Sequence, residues 1–394
     1  MNSSCDILIV GGGPAGSLAA LLLAKAGRAV TLIEAQAEIG ERVCGAYLCP
    51  AGVALLQDLD LADETTSGMR SLLGMKLVAP NEKQLRTRFP KDPKFPDYGI
   101  SLLRPQFDNA LLAAARQAGA NVRMGARMQS LHRTASGWDI ALPGGEIIST
   151  HLLIGADGRK SRVAKLTGLA TAPWQERVAL HVDVPSLTAT EPYGEMHVFN
   201  DGTYIGVNPI GTHTLNVSAL CDPHELQRTT AMEFINQRTQ ASPHLSSRIA
   251  PLTDVAKVRA TFPAAASVRS VIAHNAALIG DASGFLDPLT GEGIYQALWT
   301  ARALAEEVVA VNQPQADLAQ ALQRYAQRRR AQHRGKRICC QSFQSIIRRP
   351  KLSNAVLGLL SWRKGVGDAF IGLIGNIYSP GQAVWKMVKA LPGI

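Results

Sequence analysis

Residues 5–35 read CDILIVGGGPAGSLAALLLAKAGRAVTLIEA, and this stretch decides the fold. CDILIV is a short apolar run suited to a buried parallel strand. Gly11, Gly13 and Gly16 follow as G-x-G-x-x-G, Ser17 to Lys25 is rich in alanine and leucine and reads as a helix, and AVTLIE is a second strand ending at Glu34. Each part has a physical task. Gly11 permits the tight turn, Gly13 lets the backbone approach a pyrophosphate, and Gly16 lets helix and strand pack closely. The helix N-terminus offers unpaired N–H groups and a positive dipole end to phosphates, and Pro14 and Ala15 of the turn before it are expected at the cofactor. Glu34 can accept hydrogen bonds from a ribose diol. Strand, glycine turn, helix, strand and terminal acid together predict a dinucleotide-binding βαβ unit.

Two later segments extend the pattern. HLLIGADGRKSRVAKLTG (151–168) sets an apolar strand before Asp157 and Gly158, and AALIGDASGFLDPLTGEGIYQALWTARALAEEV (276–308) sets another before Gly280 and Asp281. Each is a buried strand ending in an acid where ligands bind an α/β sheet. With the N-terminal motif, these segments resemble the p-hydroxybenzoate hydroxylase-like class of FAD enzymes, over about residues 5 to 310. The resemblance implies that Asp281 holds the ribityl chain of FAD and that the helix after it points its N-terminus at the flavin. It implies further flavin contacts at Pro288, Gly291, Gly293 and Ile294, and places Arg104, in LLRPQFDNALLAAARQAGANV (102–122), where that class has an FAD-contacting arginine. Within the class, GDASGFLDPLTGEGI and the VCG of residues 43–45 are most similar to the geranylgeranyl reductase subgroup, with flavin-dependent halogenases nearby. Arg42, Cys44 and Gly45 then belong beside the flavin. The subgroup's Y-x-W-x-F-P signature reads YIGVNP at 204–209, a departure at the substrate side.

Between these motifs lies a β-rich run, RVALHVDV, GEMHVFN, TYIGVNPI and THTLNVSAL, with turn signals at Asn200-Asp201-Gly202 and Gly211, which predicts a meander. Such a sheet would roof a pocket over the flavin, with His181, His197, Tyr204, Asn208 and Pro209 as candidate pocket residues. The fold expected is therefore α/β: a Rossmann-like FAD-binding domain (1–74, 101–170 and 268–312) with an inserted antiparallel β-sheet substrate domain (75–100 and 171–267). A basic helical C-terminal region (313–394) follows. Asp287 and Glu292 flank the expected flavin edge and, with Cys44, are the candidate catalytic residues; a structural role at the helix N-terminus is the competing reading of both acids. No His/Cys/Asp/Glu cluster has metal-ligand spacing, and no metal is expected.

Cys44 and Cys49, in GERVCGAYLCP (40–50), have the look of a redox dithiol. A disulfide reductase would carry a second nucleotide motif in mid-chain, where this sequence has the β run. Cys44 is thus the candidate flavin-pocket residue and Cys49 a small buried apolar one. The first apolar run has only four residues, no secretory leader is read, and the six cysteines lack a framework spacing, so reduced thiols in the cytoplasm are expected.

From Arg324 to Ile394, fourteen Lys and Arg stand against one acid, Asp368, a net +13, while the rest of the chain nets −3. In this tail Leu357, Leu360, Phe370, Leu373 and Ile374 recur at roughly helical spacing. Two readings fit: a helical cap packed on the FAD-binding part, or an amphipathic surface meeting an anionic membrane at its inner face. The tail has no nucleic-acid module, and no nucleic-acid partner is expected. The activity expected is that of an FAD-dependent oxidoreductase acting on a small apolar or lipid-like substrate. By resemblance to geranylgeranyl reductases, it would reduce a carbon–carbon double bond. The alternatives are a monooxygenase for an aromatic or polyketide-type substrate, and a non-catalytic redox sensor or lipid binder. No second G-x-G-x-x-G follows a strand, so NADPH, or a ferredoxin-like donor, would reduce the flavin transiently.

Overall fold

The computed structural model describes residues 2–253, 257–287, 289, 291–311 and 314–390. Its first sheet is built on the strand Asn2–Val10, which pairs in parallel with Val30–Ile33 on one side and Ile147–Gly155 on the other. Asn121–Arg123 extends the sheet beyond the first neighbour and Ala276–Leu278 beyond the second, both in parallel. The central strand thus has neighbours on both sides whose carboxyl ends lie level with its own: Val10 is opposite Ile33 and Gly155. In an open α/β sheet this switch point is where ligands bind. The register brings the Gly11 turn, Glu34, Asp157 and Asp281 out at one edge.

Alternation along the central strand divides its side chains between two cores. Ile7 and Ile9 pack with helices α1 (Pro14–Lys25), α2 (Arg104–Gln117) and α3 (Gly293–Val309). Leu8 and Val10 pack on the other face with Trp138, Ile140 and Val163. Helix α1 begins at Pro14, three residues before the expected Ser17, because a proline at the first helical position loses no hydrogen bond.

The second sheet has seven strands in the order 259–261, 178–185, 214–221, 204–211, 193–198, 74–78, 84–88. The last three of the expected four strands form the meander. The first, Val178–Pro185, instead pairs with Thr214–Cys221. Strands 74–78 and 193–198 are parallel, and the other pairings in this sheet are antiparallel. The short strands Ala170–Thr171 and Ser267–Val268, where the chain passes between sheets, pair with each other.

Four further helices close the chain: α4 (Pro314–Ile347), α5 (Pro350–Trp362), α6 (Lys364–Ile374) and α7 (Pro380–Lys389). Helix α4 is anchored to the first sheet and the loop that follows it, with Tyr325 Oη donating to the Leu278 carbonyl at 2.6 Å and the buried Arg329 reaching the Gly284 carbonyl at 3.3 Å. Leu357, Leu360, Phe370 and Ile374 are buried against Leu77, Leu85 and Phe89 of the second sheet region, while Leu373 is half-buried. The apolar residues read from the tail therefore form a cap, chiefly on the second sheet. No helix among the described residues is long and apolar enough to cross a membrane.

Candidate functional site

One cavity of about 550 Å³ runs from the carboxyl edge of the first sheet to the inner face of the second. Its glycine end is shaped by close backbone approach. Gly11 has φ +111°, and a Cβ there would lie 2.4 Å from the Ala156 carbonyl oxygen. A Cβ on Gly16 would lie 1.9 Å from the Gly11 carbonyl oxygen, whereas one on Gly13 would meet nothing within 4 Å. Gly13 caps α1 with no side-chain hydrogen bond, so the first N–H groups of the helix are left for a ligand. Pro14 and Ala15 line the cavity beside it.

Glu34 is buried and oriented by backbone donors: Gly12 N–H at 2.8 Å and Gln36 N–H at 2.9 Å. Asp157 accepts from Ser161 Oγ (2.5 Å) and from the Arg162 and Val163 N–H groups (2.7 and 3.1 Å), while Gly158 continues the wall. Burial raises the Asp157 carboxyl, and these hydrogen bonds oppose the rise. Burial likewise raises Asp281, against the pull of Arg159, 3.6 Å away, and of Arg104. Arg104 makes a two-pronged pair with Asp108 at 3.0 and 2.7 Å; burial disfavours its charge, but Asp108 outweighs that and raises it. Gly280 (φ +57°) and Gly291 (φ +64°) both line the cavity, and a Cβ on Gly291 would lie 2.4 Å from the Tyr47 ring. Gly293 and Ile294, at the start of α3, complete this wall with Arg42 and Gly45; Pro288 lies outside the described residues.

The two cysteines separate. Cys44 lines the cavity, on a loop suspended from the second sheet: Asn216 Nδ2 and Ser218 Oγ each donate to its carbonyl at 3.2 Å, and Asn208 Nδ2 donates to that of Gly45. Asn216 and Ser218 carried no motif; only the sheet register brings them to the loop. Cys49 is fully buried ahead of the helix Pro50–Asp58, away from the cavity wall, and burial pushes its thiol up to about 11. Cys49→Ser is therefore expected to keep flavin and turnover while losing about 1–3 kcal/mol of stability in denaturant titration, the cost of burying a poorly partnered hydroxyl.

Several expected site residues lie elsewhere. Of the five pocket candidates, Tyr204 and Asn208 line the cavity; His181, His197 and Pro209 do not. Pro209 follows Asn208 and so takes the opposite face of its strand. His181 and His197 are both buried, which pushes both imidazoles below their ordinary range. Asp287, expected at the flavin edge, is also off the wall. It accepts from Tyr204 Oη (2.6 Å), Gln344 Nε2 (2.7 Å), Leu289 N–H (2.8 Å) and Gln175, which uses its lone pairs to tie sheet, loop and α4 together. Glu292 sits outside the wall too, paired with Lys336 of α4 at 3.4 Å. Both acids are engaged by protein partners. Glu41, His181 and Asp183 come within 4.8 Å of one another. Asn216 Nδ2 faces His181 Nδ1 at 3.1 Å within this group.

Beyond Gly291 the cavity becomes apolar, with Leu77, Leu180, Met196, Leu220, Phe285 and Ile374 in its wall. Among the second-sheet residues of the wall Glu195 is the charged exception. Arg248 grips it at 2.9 and 2.6 Å, and His197 Nε2 donates to it at 3.0 Å. Burial would raise its carboxyl, but the hydrogen bonds from His197 and Arg248 win and hold it near 2.

A glycine cradle under a bare helix N-terminus, ribose- and ribityl-side acids, and an apolar chamber beyond define a flavin-dependent oxidoreductase. The residues fit the cofactor: the cradle tolerates no Cβ at Gly11 or Gly16, and Tyr47 Oη and Asn208 Oδ1 are buried in the wall without a partner. The chain belongs to the FAD binding domain family, of the p-hydroxybenzoate hydroxylase-like kind, which it matches over residues 4–340. It is 29% identical over 341 residues to digeranylgeranylglycerophospholipid reductase 1 of Methanococcoides burtonii, covering 83% of this chain and 80% of that one. It is 27% identical over 324 residues to menaquinone reductase of Mycobacterium tuberculosis (78% and 77% covered). A geranylgeranyl bacteriochlorophyll reductase-like protein of Thermoplasma acidophilum shares the fold, with TM-score 0.75 and 22% identity over 99% of this chain and 96% of that one.

Proposed function

We propose that this oxidoreductase reduces carbon–carbon double bonds in an apolar, isoprenoid-type substrate. The observation that carries the reading is the apolar chamber beyond Gly291, whose polar groups are largely committed to protein partners. Each Å² of apolar substrate surface that it buries contributes about 25 cal/mol. The similarity to reductases named for geranylgeranyl lipids and menaquinone supports the same substrate class.

Bound and reduced, FAD supplies a hydride equivalent, and saturating a double bond also requires a proton. Glu195 is held as a carboxylate by Arg248 and His197 and has none to give. The Tyr204 proton is engaged by Asp287. Cys44 and Tyr47 remain, side chains with exchangeable protons in the wall, Tyr47 against Gly291. Burial keeps the Tyr47 phenol protonated, well above its usual range, with Oη otherwise unpartnered. Helix α6, through Ile374, contributes part of the chamber wall.

Anaerobic single turnover tests this. Protein reduced by one equivalent of dithionite, mixed with a geranylgeranyl lipid, should reoxidise its flavin and yield product heavier by two hydrogens, one double bond per flavin. Conversion only after oxygen is admitted, with product heavier by one oxygen, would make the protein a hydroxylase. Replacing dithionite by NADPH, then by a reduced ferredoxin, identifies the donor.

A further inference from the structure

Helices α5 and α7 bury one side in the cap and leave the other uncovered. On α5 the exposed residues Leu352, Ala355, Leu359 and Trp362 follow at intervals of three and four, a single apolar stripe along the helix. Trp362 is 61% exposed. On α7 Val384, Trp385 and Val388 form a second stripe, with Trp385 56% exposed. The stripes approach each other where α6 begins: a Cβ on Gly365 would lie 3.0 Å from the Ala390 Cβ, which brings Trp362 to within three residues of the place where α7 ends. These are not the apolar residues that fill the cap, so helix packing leaves them unexplained.

Their charged neighbours are of one sign. Lys351, Arg363, Lys364, Lys386 and Lys389 lie on or between these helices, and the one acid in this stretch, Asp368, is engaged by Thr87 at 2.7 Å. Both exposed tryptophans carry a cation over the ring, Arg363 at 5.1 Å from the Trp362 centroid and Lys389 at 4.0 Å from that of Trp385. Tryptophan beside lysine or arginine suits the interface of a membrane, where the ring sits at headgroup depth and the cation reaches lipid phosphates.

We propose that this face of α5 and α7 docks the protein on an anionic lipid bilayer. A second copy of the chain is the poorer occupant, because a two-fold contact would set the lysines and arginines against their own counterparts. A zwitterionic surface would leave the charge of the face unanswered. The docked helices are joined through α6, whose Ile374 forms part of the chamber wall, so the membrane-facing and chamber-facing sides belong to one small helical unit. Docking does not depend on which reaction the chamber carries out.

The test is co-sedimentation of the FAD-loaded protein with phosphatidylglycerol-rich vesicles and with phosphatidylcholine vesicles. Binding to the anionic vesicles is expected, with release as salt shortens the screening length below about 10 Å. Lys351→Glu/Lys389→Glu should weaken partitioning at least about fivefold for each charge removed. Trp362→Ala/Trp385→Ala should lower it to the level seen with phosphatidylcholine. In the unaltered protein, lipids brominated near the headgroup should quench tryptophan fluorescence, a reading that stands even if a variant misfolds. Failure of the unaltered protein to sediment with anionic vesicles at low salt overturns the proposal. So does binding that survives both double substitutions without quenching, which would put the contact on arginines elsewhere in the tail. A dimer that dissociates on Trp362→Ala/Trp385→Ala, with no vesicle binding, would make the face a protein interface.

Discussion

Gly16→Ala is expected to yield protein that holds no FAD and is destabilised by about 3 kcal/mol, the upper end of the usual range for forcing atoms into a filled site. The added Cβ would stand 1.9 Å from the Gly11 carbonyl oxygen and 3.2 Å from the Ala156 side chain. Relief requires α1 to move off the central strand, yet α1 is buried there through Leu18, Leu21 and Leu23. The turn and helix N-terminus that must meet the phosphates would be displaced together. Gly13→Ala is the informative contrast. Its φ of −73° suits any residue, and the new Cβ would meet no protein atom within 4 Å, so the apoprotein should unfold within about 0.5 kcal/mol of the parent. The methyl would instead occupy space open to the ligand, and FAD affinity should fall. Flavin absorbance after gel filtration and urea unfolding of the apoproteins separate the outcomes. Gly13→Ala protein with normal FAD content would mean that the pyrophosphate does not approach the backbone there.

This contrast bears on what could be read from the sequence. Gly11, Gly13, Gly16 and Glu34 were legible because their tasks are local: strand, turn, helix and second strand fall within thirty-odd residues of chain. Asp157 and Asp281 were legible because each ends a buried strand of the same parallel sheet, and such strands deliver their ends to one edge. The second sheet was harder. Alternation tells which residues share a strand face, but not which face looks at the cavity. Tyr204 and Asn208 reached the wall, while Pro209, on the other face, did not. The first strand of the expected meander went to the far side of the fourth, a choice made by long-range pairing that no turn signal reports. Asp287 and Glu292 sat in a motif at the flavin edge, yet their partners, Gln344 and Lys336, come from a helix that begins more than twenty residues later. Only the folded chain could show that these acids were already spoken for. The tail's hydrophobic periodicity was correct, but it could not say which stripe packs inward and which is left outside.

Arg248→Met should cost about 3–5 kcal/mol, the penalty for leaving a buried charge without its partner. Glu195 is 6% exposed and lies in the chamber wall, and Arg248 supplies the two shortest contacts to its carboxylate. His197 remains at 3.0 Å, and Lys76 at 3.3 Å. Burial holds His197 below its ordinary range, and Arg248 adds to that depression, so His197 is a weaker substitute for the guanidinium than a fixed charge. The loss has a pH signature. In the parent, Glu195 near 2 lies below its unfolded value of 4.5, so the group contributes stability in full above about pH 4.5, and that contribution is lost as pH falls towards 2. Without Arg248, burial is opposed far less and the folded carboxyl should rise towards or above its unfolded value. The acid-side slope between about pH 5 and 2 should then flatten or reverse, while at neutral pH the full penalty appears. Adding Glu195→Gln removes the orphaned charge, and the double variant should regain most of the loss, a coupling of at least about 1 kcal/mol in the double-mutant cycle. The same change should alter the chamber more than the cofactor end, lowering turnover of an apolar substrate while flavin content holds. Additive effects of the two substitutions, or an unchanged acid slope in Arg248→Met, would show that Lys76 and water, not Arg248, keep Glu195 ionised.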